Sequence, residues 1–362
     1  MARLLSEIQW GEPIFPAVID AEWQAEVKRK TGGVPGIHRY VARSRWLREA
    51  GLLFELYRPV HLPLRLMQIG SMVTAQENSC RYCYGANRAF LKLLGYRESL
   101  IDRIERDVQL AELNERERAF IQFCRNLARS SPRPARAERE ALLRLGYTPL
   151  EVAEMAFVIT VGCFYNRVAT LVACPPEAEF ERFVASPLGR LMGLVGPLLR
   201  PLLLRKRPAA ELPMGSGPGT QPFGALLAML EGLPAARVLD TILESAFASP
   251  VLPRRTKALL FAVVARSLEC RYCETKARGL LAGEALSEPE VETCLATLAS
   301  PRLEPFEVAL LNWVRSTVHY EPATVQSQTR ALVQEIGIER ALEAVGVAAL
   351  ANSLARLAML MA

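Results

Sequence analysis

Apolar residues recur at the three- and four-residue spacing of a buried helix face over Leu64–Val73, Ala86–Leu94, Arg118–Leu127, Leu150–Val172, Ala258–Leu268, Glu307–Val314 and Ile338–Met361. No segment alternates apolar and polar residues between hairpin turns, so strands are not expected. Breaks fall at Gly95-Tyr, Ser131-Pro-Arg-Pro, Gly146-Tyr-Thr-Pro and Cys174-Pro-Pro, where helices stop. The pattern predicts an all-α chain.

The same pattern occurs twice. ENSCRYCYGANRAFLKLLG, around Cys80, matches SLECRYCETKARGLLAGEA, around Cys270. Each Cys-Arg-Tyr-Cys is preceded by an apolar helix and followed by another. Downstream, Leu113–Ser130 matches Leu303–Tyr320 in apolar pattern, and Asn166 falls opposite Asn352. The register survives from motif to asparagine, so the chain reads as a tandem duplication. Its parts are an N-terminal extension (1–35), a first repeat (36–174), an apolar then Pro/Gly-rich linker (175–221) and a second repeat (222–362).

Composition supports this division. At 362 residues the chain exceeds what one core usually holds, and 51% hydrophobic with 23% charged residues is globular. The net charge of +6 is uneven: 13 basic and 15 acidic residues from Gln221 onward give −2, leaving +8 before it. Basic residues such as those of Arg136–Arg144 interleave with Glu, the pattern of a solvated helix face, so no nucleic-acid partner is expected. Leu188 to Leu204 is apolar but interrupted by Arg190, Pro197, Arg200 and Pro201, too broken for a membrane span. An interfacial helix with Arg200, Arg205, Lys206 and Arg207 at the headgroups is one reading. A helix packing across the two repeats is the favoured one, and membrane contact is not expected. The N-terminus lacks an apolar h-region, which points to a cytoplasmic location.

Eight cysteines stand at 80, 83, 124, 163, 174, 270, 273 and 294. Residues i and i+3 of a helix are neighbours at a separation that a disulfide bridges, so Cys80/Cys83 and Cys270/Cys273 suit reversible dithiol chemistry. A four-thiolate zinc site and inert buried thiols are the competing readings. Zinc motifs usually bring the pairs much closer than the 190 residues separating Cys80 from Cys270. With Asn78 or Ser79 as cap, Cys80 would sit in the first helical turn, where free N–H groups, the dipole and Arg81 favour a thiolate. Glu269 would raise the Cys270 thiol, so the first pair is expected to be the more reactive. Cys124, Cys163, Cys174 and Cys294 read as filler. Tyr82 and Tyr272 pack the helix start or shield the thiols.

The pattern N-x-C-x-Y-C-x-x-A followed by a helix ending in Leu-Gly, with Asn166-Arg167 late in the unit, resembles the carboxymuconolactone decarboxylase/alkyl hydroperoxidase D (AhpD-like) superfamily and its peroxidase-related branch. The resemblance covers both repeats and is strongest over Val73–Gly95. It implies two tandem helical domains, redox-active CxxC cysteines, a homo-oligomer and no prosthetic cofactor or metal. It also implies reduction of a small hydroperoxide or of a partner protein's disulfide, with a dithiol as electron donor.

Members with peroxidase activity carry a Glu twelve residues before the first Cys and a His four residues after the second. Here those positions hold Gln68 and Asn87, and Ala258 and Ala277 in the second repeat. Gln and Asn orient a thiol by hydrogen bonding but cannot act as its base. Glu77 is the substitute acid/base candidate. Of His38, His61 and His319, His61 lies nearest a CxxC in sequence. Decarboxylation ranks low, since it does not use the cysteines. The expected function is thiol–disulfide exchange or weak peroxide reduction at Cys80 and Cys83, with Cys270 and Cys273 secondary. The alternative is an inactive helical scaffold or ligand-binding module.

Overall fold

The computed structural model describes residues 2–203, 222–282, 284 and 286–361; among them the regular structure is helical throughout. A leading helix α1 (Ala21–Thr31) is followed by α2 (Ile37–Val41), α3 (Arg45–Leu56), α4 (Leu64–Glu77), α5 (Arg81–Leu93), α6 (Glu98–Arg106), α7 (Glu115–Ala128), α8 (Arg136–Arg144) and α9 (Pro149–Leu171). Helices α10 (Ala178–Ala185) and α11 (Pro187–Leu203) come next. The second series is α12 (Gly224–Ala228), α13 (Pro234–Ala248), α14 (Arg254–Ser267), α15 (Arg271–Leu281), α16 (Glu288–Thr297), α17 (Pro305–Ser316), α18 (Pro322–Ile336) and α19 (Ile338–Ala358).

Helices α2–α9 and α12–α19 correspond in order, and so do particular contacts. Pro63 and Pro253 stand at the N-caps of α4 and α14. Arg65 pairs with Glu117 at 2.7 Å, and Arg255 pairs with Glu307. The Tyr82 hydroxyl accepts from the Ile37 N–H at 3.3 Å, as the Tyr272 hydroxyl does from the Leu226 N–H at 3.2 Å. The tyrosine of each Cys-Arg-Tyr-Cys thus ties a short upstream helix to the cysteine turn.

The halves do not keep separate cores. Their buried side chains form one continuous cluster, organised around α9 and α19, which pack on one another. Both helices are long and apolar enough to cross a membrane by composition alone, yet both are mostly buried inside the protein. Alanine-rich stretches of α19 allow the close approach, and Gly346 makes room for the Trp46 ring: a Cβ there would lie 2.5 Å from Trp46 Cζ2. Trp46, on α3, donates through Nε1 to Glu343 Oε2 at 2.5 Å. Glu343 in turn pairs with Lys257 at 3.0 Å, with both side chains 1% exposed. Lys257 also donates to the carbonyls of Ala246 and Ser249, at 2.6 Å each. The N-terminal extension runs over both halves, with Trp10 Nε1 donating to Cys174 O at 2.9 Å and Arg3 pairing with Glu321 at 2.6 Å.

One expectation is corrected. The Leu-rich helix α11 packs chiefly against α5 and α10 of the first half rather than across the two halves. Residues 204–221, the Pro/Gly-rich remainder of the expected linker, lie outside the described residues.

Removing one partner of a buried ion pair strands the other charge, at a cost of about 3–5 kcal/mol. Lys257→Met is therefore expected to destabilise by that amount in denaturant unfolding. The double variant Lys257→Met/Glu343→Gln, which leaves no stranded charge, should recover more than half of the loss.

Candidate active site at the paired cysteines

Helix α4 ends at Asn78, and Ser79 adopts a left-handed conformation (φ 51°). The Cys80 N–H then closes back on Ala75 O at 3.0 Å, a Schellman-type stop. Cys80 is consequently the N-cap of α5. The second half repeats this at Glu269 (φ 55°), with the Cys270 N–H on Ala265 O at 2.8 Å and Cys270 capping α15. This corrects the expected cap: Asn78 closes the preceding helix, Ser79 turns the chain, and the cysteine itself caps the next one. In the second half the cap sulfur accepts from the first turn, with the Cys273 N–H 3.4 Å from Cys270 Sγ.

All eight cysteines are free thiols. Burial pushes the Cys80 thiol up, but donation by the Cys83 thiol and backbone N–H, the Thr170 hydroxyl and the charge of Arg167 outweigh it and hold it below the ordinary value. Cys83, donating its proton to Cys80 and itself buried, is raised well above that value. When the pair loses its first proton, the charge therefore falls on Cys80 and the remaining proton stays on Cys83. Cys270 is likewise lowered, first by the Cys273 thiol and against burial, while Cys273 is raised. The acid that opposes the Cys270 thiolate is Glu274 rather than Glu269, and it does not prevent the lowering. Burial raises Cys124, Cys163 and Cys294, which remain ordinary protonated thiols.

Arg167 is the feature that the second half lacks, since Asn352 is followed there by Ser353. It is 3% exposed and has no carboxylate partner among the described residues. Burial pushes its pKa down to about 10. Its guanidinium lies 4.3 Å over the Tyr320 ring and donates to His319 O at 3.1 Å, both from the second half. On the other side of Tyr320, Arg356 donates to the Tyr320 hydroxyl and to Asn352 O. A desolvated cation without a carboxylate gains most from a nearby anion, and Cys80 is the thiol placed to be one.

Cys80 is sealed from solvent (0% exposed), whereas Cys83 opens into a cavity of about 280 Å³ formed by α2, α3, α4, α5 and α9. Ile37, Phe54, Met67 and Val161 make its apolar wall. Its polar groups include Glu55, Asn87, Tyr165 and Asn166, and the Asn166 Nδ2 is buried without a partner. Glu55 Oε1 bonds to His38 Nε2 at 2.9 Å, and the Tyr165 hydroxyl, which donates to Gly51 O, lies 3.4 Å from it. Cys270 borders a separate recess of about 430 Å³, shared with Pro132 and Pro134 of the first half.

Of the residues read from sequence, the cavity gathers Cys83 and Asn87, and Asn87 donates to Ser71 O at 3.4 Å. Gln68 is buried outside its lining, with Nε2 unpartnered. Glu77 points away and pairs with Arg125, which also donates to Ile104 O. That engagement removes Glu77 as the acid/base candidate. His61 is exposed, and the histidine adjoining the cavity wall is His38. Sequence reasoning missed Glu55, His38 and Tyr165 because α2 and α3 carry no signal linking them to the cysteine turn. Arg167 did carry one, in the Asn-Arg pair. Among the described residues no group of three or more His, Cys, Asp or Glu is arranged to hold a metal.

No family model and no curated protein matches the chain. Among solved structures it is similar to the alkylhydroperoxidase AhpD core, an uncharacterized peroxidase-related protein from Ralstonia eutropha JMP134. The two are 23% identical, with a TM-score of 0.42, over 51% of this chain and 99% of that chain.

Because Cys80 is lowered with Arg167 contributing, its thiolate absorbance should appear below the ordinary thiol range as pH rises. Arg167→Met is expected to move that step upward. Arg167→Lys, which keeps a charge, should move it less. The Cys270 step in the same spectra should stay in place.

Proposed function

We propose that the chain is a dithiol–disulfide oxidoreductase in which Cys83 meets a small oxidised substrate, an organic hydroperoxide or a disulfide, and Cys80 completes the disulfide. The observation that carries this reading is the division of labour in the pair. One sulfur is buried at a helix N-terminus with its pKa held down by its neighbours, and the other opens into a cavity lined by a carboxylate.

With a hydroperoxide the steps balance as follows. Glu55 takes the Cys83 proton, directly or through a bound water, and the Cys83 thiolate attacks the outer peroxide oxygen. The O–O bond breaks, the alkoxide takes the proton back from Glu55 and leaves as an alcohol, and Cys83 becomes a sulfenic acid. The Cys80 thiolate then attacks Cys83 Sγ and expels hydroxide, which gains a proton from solvent and leaves as water. The dithiol has given two electrons, and an external dithiol returns them by exchange. Glu55, held by His38, does what Gln68 and Asn87 cannot, because a carboxylate titrates and an amide does not. The apolar wall suits a short hydrocarbon body, with Asn166 Nδ2 left to bind its oxygen.

Mild oxidation should convert Cys80 and Cys83 to a disulfide that a dithiol reverses, and Cys83→Ser should abolish both that bond and peroxide consumption. Glu55→Gln is expected to slow consumption by about 10²–10⁴-fold, the usual cost of losing a general base, with folding unchanged. A pair that never cross-links, together with a peroxide rate no better than the free dithiol donor, would overturn the reading in favour of a helical scaffold.

A further inference from the structure

Helix α11 has its faces reversed relative to an ordinary surface helix. Glycines form its inner side: a Cβ added at Gly193 would lie 2.9 Å from Lys92 O, at Gly196 2.6 Å from Leu93 O, and at Gly189 2.2 Å from Phe183 O. These positions admit no side chain, so the helix lies directly on the backbone at the end of α5 and on α10. The large apolar residues consequently point outward. Leu188 is 59% exposed, Leu191 57%, Leu194 79% and Leu198 81%, with Phe183 of α10 beside them at 38%. Pro197 and Pro201 do not interrupt the helix, which runs from Pro187 to Leu203. Scattered exposed leucines need no explanation, but a contiguous row on one helix marks a surface that something covers.

Charge decides between occupants. Helix α11 carries Arg190 and Arg200 and no acidic residue, and Arg205, Lys206 and Arg207 follow it in the sequence before the next acidic residue, Glu211. A second copy docking through the same face would bring two such sets together, without a carboxylate on either helix to separate them. An anionic lipid surface complements both features, taking the leucines at the acyl boundary and the cations at the headgroups. We propose that the outward face of α11 is a docking surface for an anionic bilayer, with Leu188, Leu191, Leu194 and Leu198 as the inserted side chains and Arg190 among the headgroup contacts. This surface stands independently of the redox reading.

The test is co-sedimentation of the full chain with vesicles of equimolar phosphatidylglycerol and phosphatidylcholine, compared with phosphatidylcholine alone, at low and high salt. The protein should pellet with the anionic vesicles and be released by salt. Leu191→Ser/Leu194→Ser/Leu198→Ser should lower vesicle partitioning by about tenfold or more, with the helical circular-dichroism signal kept because these side chains are exposed. Arg190→Glu should weaken binding to anionic vesicles alone. Unchanged pelleting of the triple variant, or equal pelleting on phosphatidylcholine alone, would overturn the proposal. So would gel filtration in which the triple substitution converts a larger wild-type species to a smaller one while neither binds vesicles, since a second copy would then cover the face.

Discussion

At Ser79 and Glu269 the backbone turns left-handed, and the next amide closes on a carbonyl five residues back, so that a cysteine becomes the N-cap of the following helix. A non-glycine residue in that conformation costs about 1–2 kcal/mol, and both halves carry the strain at the same position. The rest of the site depends on it. The cap position aims the first sulfur at unpaired N–H groups, and three residues later the helix brings the second sulfur beside the first. Which sulfur carries the charge and which keeps the proton follows from that geometry before any neighbouring side chain is considered.

Neighbouring side chains then make the halves unequal. Arg167 lies close enough to Cys80 to bear on its ionisation, and it is held by the Tyr320 ring and His319 carbonyl of the other half. A buried cation is costly to desolvate, and its place over an aromatic face, with the readily ionised Cys80 nearby, offsets part of that cost. The second half therefore does more than carry a dithiol of its own: the segment after α17 contributes to the electrostatics of the first. Ser353 stands where the second half would need its own arginine, and the Cys270 pair relies on the helix cap and Cys273 alone.

The same packing decides which polar groups reach the cavity. Gln68 is buried away from the cavity and Glu77 is tied to Arg125, so neither reaches the Cys83 side. Glu55, at the end of α3, lines the same cavity as Cys83, and His38 holds its carboxylate at 2.9 Å. In the proposed function the titrating group beside the thiol comes from α3 rather than from the helices that carry the cysteine motif.

Helices such as α4, α7, α9, α14, α17 and α19 were legible because their buried faces recur at helical spacing within a dozen or more residues. The duplicated Cys-Arg-Tyr-Cys was legible because both copies keep the local turn that positions it. These are short-range properties, written in consecutive residues. The sequence alone thus determined an all-helical chain with two Cys-Arg-Tyr-Cys motifs at matching positions. The cavity, the Glu55–His38 contact, the coupling of Arg167 to Tyr320 and the outward leucines of α11 depend on which faces meet across long stretches of chain. Only the tertiary structure decided them, because desolvation and the pairing of buried charges belong to surfaces brought together by packing, and no local pattern encodes which surfaces those are.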